Sequence, residues 1–182
     1  MPIAKQFSKL DGAEQESFIG ELENLLRGNA GDYELYKELW DEFVEVADSD
    51  RRVAVLADVR EEVLQRISNN QEPEHLTPVI EIMQSMSGEM GESQGGQFME
   101  RLSNRLTDNL NANQQKAVIR QIAGFDEYYG KENQILDRVK GVLQQSNNNA
   151  VTNAAEDLID QIEKRGKADQ KKIDEIREGH FD

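Results

Sequence analysis

The chain contains no cysteine. Disulfides, thiolate-ligated zinc and thiol catalysis are therefore excluded. Proline is nearly absent: Pro2, Pro73 and Pro78 are the three in 182 residues, so long stretches run without a helix breaker. Histidine is as scarce, with only His75 and His180. Aromatic residues make up 6% of the chain, which predicts a thin aliphatic core of the kind that packed helices make. No run approaches the ~18–20 consecutive apolar residues of a membrane span. Residues 1–10 hold no apolar stretch of the secretory kind. These absences predict a cytoplasmic protein with no membrane partner; a virion or non-classical export is the alternative.

What the chain has in excess is acid. Asp and Glu number 36 against 21 Lys and Arg, a net charge of −15. The excess is uneven. Residues 1–96 carry 21 acidic and 8 basic side chains, whereas residues 97–182 carry 15 and 13. Residues 11–50 alone hold 13 acids against Arg27 and Lys37. A general surface adaptation would spread the acid evenly, so the distribution points to a local acidic face. Such a face repels nucleic acid, because phosphate binding needs Lys and Arg.

Helical periodicity runs through the chain, and no strand-like alternation persists. Asp11 and Glu14 have the spacing of a capping box. Phe18, Ile19, Leu22, Leu25 and Leu26 then predict a helix over about 12–27, stopped near Gly28. Asp32 is a cap for a second helix over about 33–48, with the stripe Tyr33, Tyr36, Leu39, Trp40, Phe43 and Ala47. A third helix over about 51–68 carries Val53, Leu56, Val59, Val63, Leu64 and Ile67 and ends near Asn69 and Asn70. Three helices on short turns predict an antiparallel bundle. Thr77 is the expected N-cap of a short helix over about 78–86, with Pro78 at its first position. Residues 87–96, with four glycines in ten, read as a Gly/Ser/Met-rich linker or mobile loop. Beyond it, helices are expected over about 97–110, from the cap pair Asn111 and Gln114 to Gly124, over 127–145 behind Asp126, and over 150–178. The last would be roughly 42 Å long at 1.5 Å per residue, and its apolar stripe lapses between Ile162 and Ile173.

The predicted fold is thus an all-α multi-helix bundle: an acidic three-helix half (1–86), the linker (87–96), and a polar helical half (97–182) with a long last helix. The two halves either share one core or stand as separate subdomains.

No catalytic constellation assembles, and neither a metal nor a cofactor is expected. Glu72 and His75 have the Glu-x-x-His spacing of a di-iron bundle, but Pro73 interrupts it and a second copy is missing. Two peripheral histidines do not build a Ser–His–acid set, and Asp48, Asp50 and Arg52 lack the glycine and closing glutamate of a calcium loop. Tyr33, Tyr36, Trp40 and Phe43 have the spacing of a core face. Met83, Met86, Met90 and Met99 cluster around the glycine-rich stretch, as soft core filling or as an adaptable groove.

Two surface patches remain. Glu34, Glu38, Asp41, Glu42 and Glu45 form an acidic helical face with like-charge pairs at i, i+4. Lys164, Arg165, Lys167, Lys171 and Lys172 form a basic patch where the last apolar stripe fails. The leading expectation is a non-enzymatic protein–protein interaction module: an adaptor, assembly factor, effector or immunity-type inhibitor. Its partner would be another protein with a basic surface. Direct nucleic-acid binding is not expected, and a homo-oligomer is allowed. The alternative is a mimic of nucleic-acid charge that inhibits a DNA- or RNA-binding protein; an enzyme using carboxylates alone is third.

Overall fold

A computed structural model describes residues 3–68, 72–107 and 109–179. Among these, 81% are helical and none lies in a strand, so the fold is an all-α multi-helix bundle. Nine α-helices are present among the described residues: α1 (Ile3–Phe7), α2 (Gly12–Gly28), α3 (Tyr33–Val46), α4 (Ser49–Ser68), α5 (Thr77–Ser85), α6 (Glu92–Asn104), α7 (Ala112–Ala123), α8 (Glu132–Gln145) and α9 (Asn149–Arg177). They divide into two compact units, residues 1–91 and 92–182.

Local chemistry sets most of the boundaries. The Glu14 N–H donates to Asp11 Oδ1 at 2.8 Å while the Asp11 N–H donates to Glu14 Oε2 at 3.0 Å, a reciprocal cap on α2. Asn111 and Gln114 repeat this on α7 at 2.9 and 3.1 Å. Asp32 accepts from the Leu35 N–H on α3, and Asp48 accepts from the Arg51 N–H on α4. Each satisfies an orphan donor of a first helical turn. Thr77, expected as a cap, lies inside the helix instead. A 3-10 turn over Pro73–Leu76 runs directly into α5, which leaves Thr77 with helical backbone angles. The expected break at Asn69 and Asn70 lies outside the described residues.

In the first unit α3 is the central element. Tyr33, Tyr36, Trp40 and Phe43 are all buried, and Trp40 sits between Tyr36 (6.5 Å) and Phe43 (5.7 Å). The stripe packs on α2 and α5, and α4 packs on the same two helices, so α5 completes a four-helix arrangement rather than lying outside a three-helix bundle. Two phases of the sequence reading shift. Val55 faces the core of α4 while Val53 is exposed, and Leu25 on α2 is exposed. The α2–α4 seam carries ion pairs: Arg51 reaches Glu16 and Glu23, and Arg27 reaches Glu23 and Asp58. Below it, the Tyr36 hydroxyl is buried and accepts or donates no hydrogen bond among the described residues. Its pKa is pushed up by that burial, with a smaller push from Asp58 that Arg27 opposes.

In the second unit α6 and α9 each pack on both α7 and α8. The stretch expected as a linker, 87–96, is placed differently. Ser87–Glu89 form a 3-10 turn, and from Glu92 the chain is already in α6, with Gly95 and Gly96 buried. The reason is a close approach. A Cβ built on Gly95 would lie 2.4 Å from three ring carbons of Tyr129, so the tyrosine ring rests on bare backbone. Helix α8 begins at Glu132 rather than behind Asp126. Tyr129 (φ 54°) and Gly130 (φ 75°) are both left-handed, which a continuous right-handed helix excludes.

Two stability outcomes follow. Gly95→Ala drives a methyl into the Tyr129 ring; the clash costs about 1–3 kcal/mol and exceeds the helix-propensity gain of at most about 1 kcal/mol. Gly141→Ala in α8 meets nothing within 4 Å and should stabilise by about 0.5–1 kcal/mol. Denaturant midpoints of the two variants should therefore move in opposite directions. Tyr36→Phe removes a buried hydroxyl that has no partner among the described residues and should stabilise the first unit by about 1 kcal/mol, read as a higher denaturant midpoint; a loss of stability would show that the hydroxyl is satisfied.

Candidate functional site

The acidic face expected on the second helix is built by the aromatic stripe opposite it. With 3.6 residues per turn, Glu34, Glu38, Asp41, Glu42 and Glu45 fall within an arc of about 100° centred opposite Tyr36, Trp40 and Phe43. All five are exposed. Lys37 Nζ pairs with Asp41 at 2.6 Å, and the other four carboxylates have no ion-pair partner among the described residues. The rim of this face includes Leu35, which is 37% exposed.

The five basic residues of α9 do not form one patch. Lys164, Lys167 and Lys171 fall on one side of the helix, and Lys171 Nζ lies 3.8 Å from Glu175. Arg165 and Lys172 lie about a third of a turn further round the helix. Arg165 is half-buried and anchors the segment 125–131: its Nη1 donates to the carbonyls of Phe125 (3.0 Å) and Asp126 (2.9 Å). Its guanidinium stacks 4.8 Å above the Tyr128 ring. Gln161 Nε2 adds donations to Ala123 O and the Tyr128 hydroxyl, both at 2.8 Å. Phe125 packs on Phe98 of α6 at 5.8 Å. Burial raises the Tyr128 pKa, and the neighbouring Arg165 opposes the rise.

That anchored segment forms one wall of an open cleft of about 760 Å³, whose other wall is α9 from Ile162 to Lys172. Five carboxylates line it (Glu92, Asp126, Glu127, Glu132 and Asp169), against Arg165 and Lys172. With Arg165 committed to backbone carbonyls, the cleft is net acidic. Sequence reasoning missed it, because its acids come from four separate segments and meet only through the left-handed turn at Tyr129 and Gly130.

The remaining candidates are structural or peripheral. The aromatic stripe is core, and Met83, Met86, Met90 and Met99 are all buried. Glu72 and His75 are an exposed pair 3.3 Å apart, and no group of three or more His, Asp or Glu side chains is arranged to hold a metal among the described residues. His180 lies outside them. No helix among the described residues is long and apolar enough to cross a membrane.

Removing the Arg165 anchor should be costly. Arg165→Ala leaves two carbonyls without a charged donor and uncovers Tyr128, a loss of about 2–4 kcal/mol. The expected readout is faster hydrogen exchange across 125–131 together with a lower melting temperature. Arg165→Lys should be intermediate, because it keeps the charge but not the planar stack; exchange unchanged in the alanine variant would refute the anchoring role.

Comparison of the chain with known protein families, with curated proteins and with solved structures yields no match.

Proposed function

We propose that the protein is a protein–protein interaction module whose α3 face docks a partner with a basic surface. The supporting observation is a contrast within the first unit. On the α2–α4 seam, Glu16, Glu23 and Asp58 are each matched by Arg51 or Arg27. On α3, Glu34, Glu38, Glu42 and Glu45 have no such match among the described residues, and only Asp41 is paired. Like charges at i, i+4, as in Glu34–Glu38 and Glu38–Glu42, cost about 0.2–0.5 kcal/mol each. A cationic partner relieves that repulsion. The face also sits on a helix whose other side is locked by buried aromatic rings, so its carboxylates are presented with little ordering cost on binding.

The test uses one double variant, Glu38→Lys with Glu42→Lys. Both positions are exposed, and the exchange removes more like-charge pairs than it creates. Its melting temperature should match or slightly exceed that of the parent chain. Capture of basic proteins from the source cell at low salt should fall with the variant. Binding of a captured partner, remeasured with purified components, should weaken steeply as salt rises, because exposed charges are screened beyond about 10 Å at 0.1 M. The loss should lie mainly in the association rate. Equal binding by parent and variant at every salt concentration removes the acidic face from the function. A captured partner that normally binds DNA or RNA would identify the face as a stand-in for nucleic-acid charge.

A further inference from the structure

The apolar stripe that holds α9 in the second unit does not stop where the packing stops. Val151, Ala155, Leu158 and Ile162 are buried. Continued at helical spacing, the same side of the helix passes Gly166 and Asp169 and reaches Ile173, Ile176 and Arg177. Ile173 is 43% and Ile176 59% exposed, two of the few large apolar side chains left open to solvent. Every described residue from 166 to 179 is exposed. The cleft lies at the root of this overhang, with Gly166, Asp169 and Lys172 shared between the two.

We infer that this overhang pairs with the same segment of a second copy, antiparallel and centred near Ile173. The charges on the stripe select that occupant and orientation. A two-fold axis at Ile173 sets the isoleucine against its own copy and brings Asp169 of one protomer opposite Arg177 of its partner, twice. Neither Asp169 nor Arg177 has an ion-pair partner among the described residues. A parallel pair would instead set Asp169 on Asp169, Lys172 on Lys172 and Arg177 on Arg177. The antiparallel pair also carries each Arg177 to the mouth of the acid-lined cleft, where Asp169 and the nearby cleft carboxylates attract it. Two isoleucines per protomer are too small an apolar face for a membrane surface. The chain's net charge of −15 disfavours a nucleic acid.

Sedimentation equilibrium on the full chain should show a monomer–dimer equilibrium between about 10 µM and about 1 mM, the range expected of an interface well under the standard size. A single species of monomer mass throughout overturns the proposal. Ile173→Asp with Ile176→Asp should abolish the dimer and leave the far-ultraviolet spectrum unchanged, because both positions are exposed; a dimer that survives the double variant overturns it as well. The absence of native cysteine permits a direct register test under mild oxidation. Ile173→Cys lies on the two-fold axis and should form a disulfide-linked dimer. Gly166→Cys lies on the same side seven residues away, so its two copies are about 21 Å apart along the helices and should stay reduced. Any other pattern overturns the antiparallel pair. The α3 double variant should dimerise normally, so failure of this proposal and failure of the α3 reading remain distinguishable.

Discussion

A helix that buries one side must present the other, and in the first unit this geometric constraint governs the rest. Burying a large side chain such as Trp40 or Phe43 is worth about 1.5–3 kcal/mol or more. The like-charge pairs on the outer side of α3 cost a few tenths each. Burial therefore decides the rotation of α3, and the carboxylates go where that rotation sends them. Their exposure is a consequence of the core. Their number and lack of partners are not, because the same unit matches acids with arginines where α2 meets α4.

The second unit depends on a different constraint, the fastening of a turn that local preferences oppose. A tyrosine in the left-handed region costs on the order of 1–2 kcal/mol. Tyr129 is held there because its ring has a flat seat on Gly95 and because Gly130 continues the left-handed turn without a Cβ. Phe125 on Phe98 and Arg165 on two carbonyls fix the start of the same segment. These contacts join α6, the turn and α9, and the acidic cleft lies between the elements they hold together. The glycines that composition alone assigns to a loose linker are, at Gly95 and Gly96, buried residues of α6.

What was legible in the sequence was what is local. The caps Asp11–Glu14 and Asn111–Gln114 span three residues each, and their hydrogen bonds depend on little else. The aromatic stripe and the acidic face share one helical period, so one reading located both. Errors arose wherever a distant residue decides. Val53, Val55 and Leu56 offer α4 two phases, and only its neighbours select Val55. Asp126 is a good capping residue by composition, but Gly130 and Arg165 impose a turn that moves the start of α8 to Glu132. Gly95 is glycine because of Tyr129, a dependence no spacing rule encodes. The basic residues Lys164, Arg165, Lys167, Lys171 and Lys172 cluster within nine positions of sequence, yet the turn of the helix sets Arg165 and Lys172 about a third of a turn away from the other three.

The projecting end of α9 shows how much order a helix can carry without a core. An isolated helix shorter than about 12–15 residues is marginal in water, because its first turn must be nucleated at a cost. Residues 166–177 avoid that cost by extending a helix already nucleated against α7 and α8. What they add is side-chain pairing along the surface: Gln170 with Asp174 at 2.8 Å and Lys171 with Glu175 at 3.8 Å, each worth a few tenths of a kcal/mol. Both pairs lie on the sides away from Ile173 and Ile176. The helix is thus braced on its polar flanks while its apolar side stays open. Because the segment is held as an extension of a packed helix, a second helix meeting that side finds its conformation set in advance and has less ordering cost to overcome.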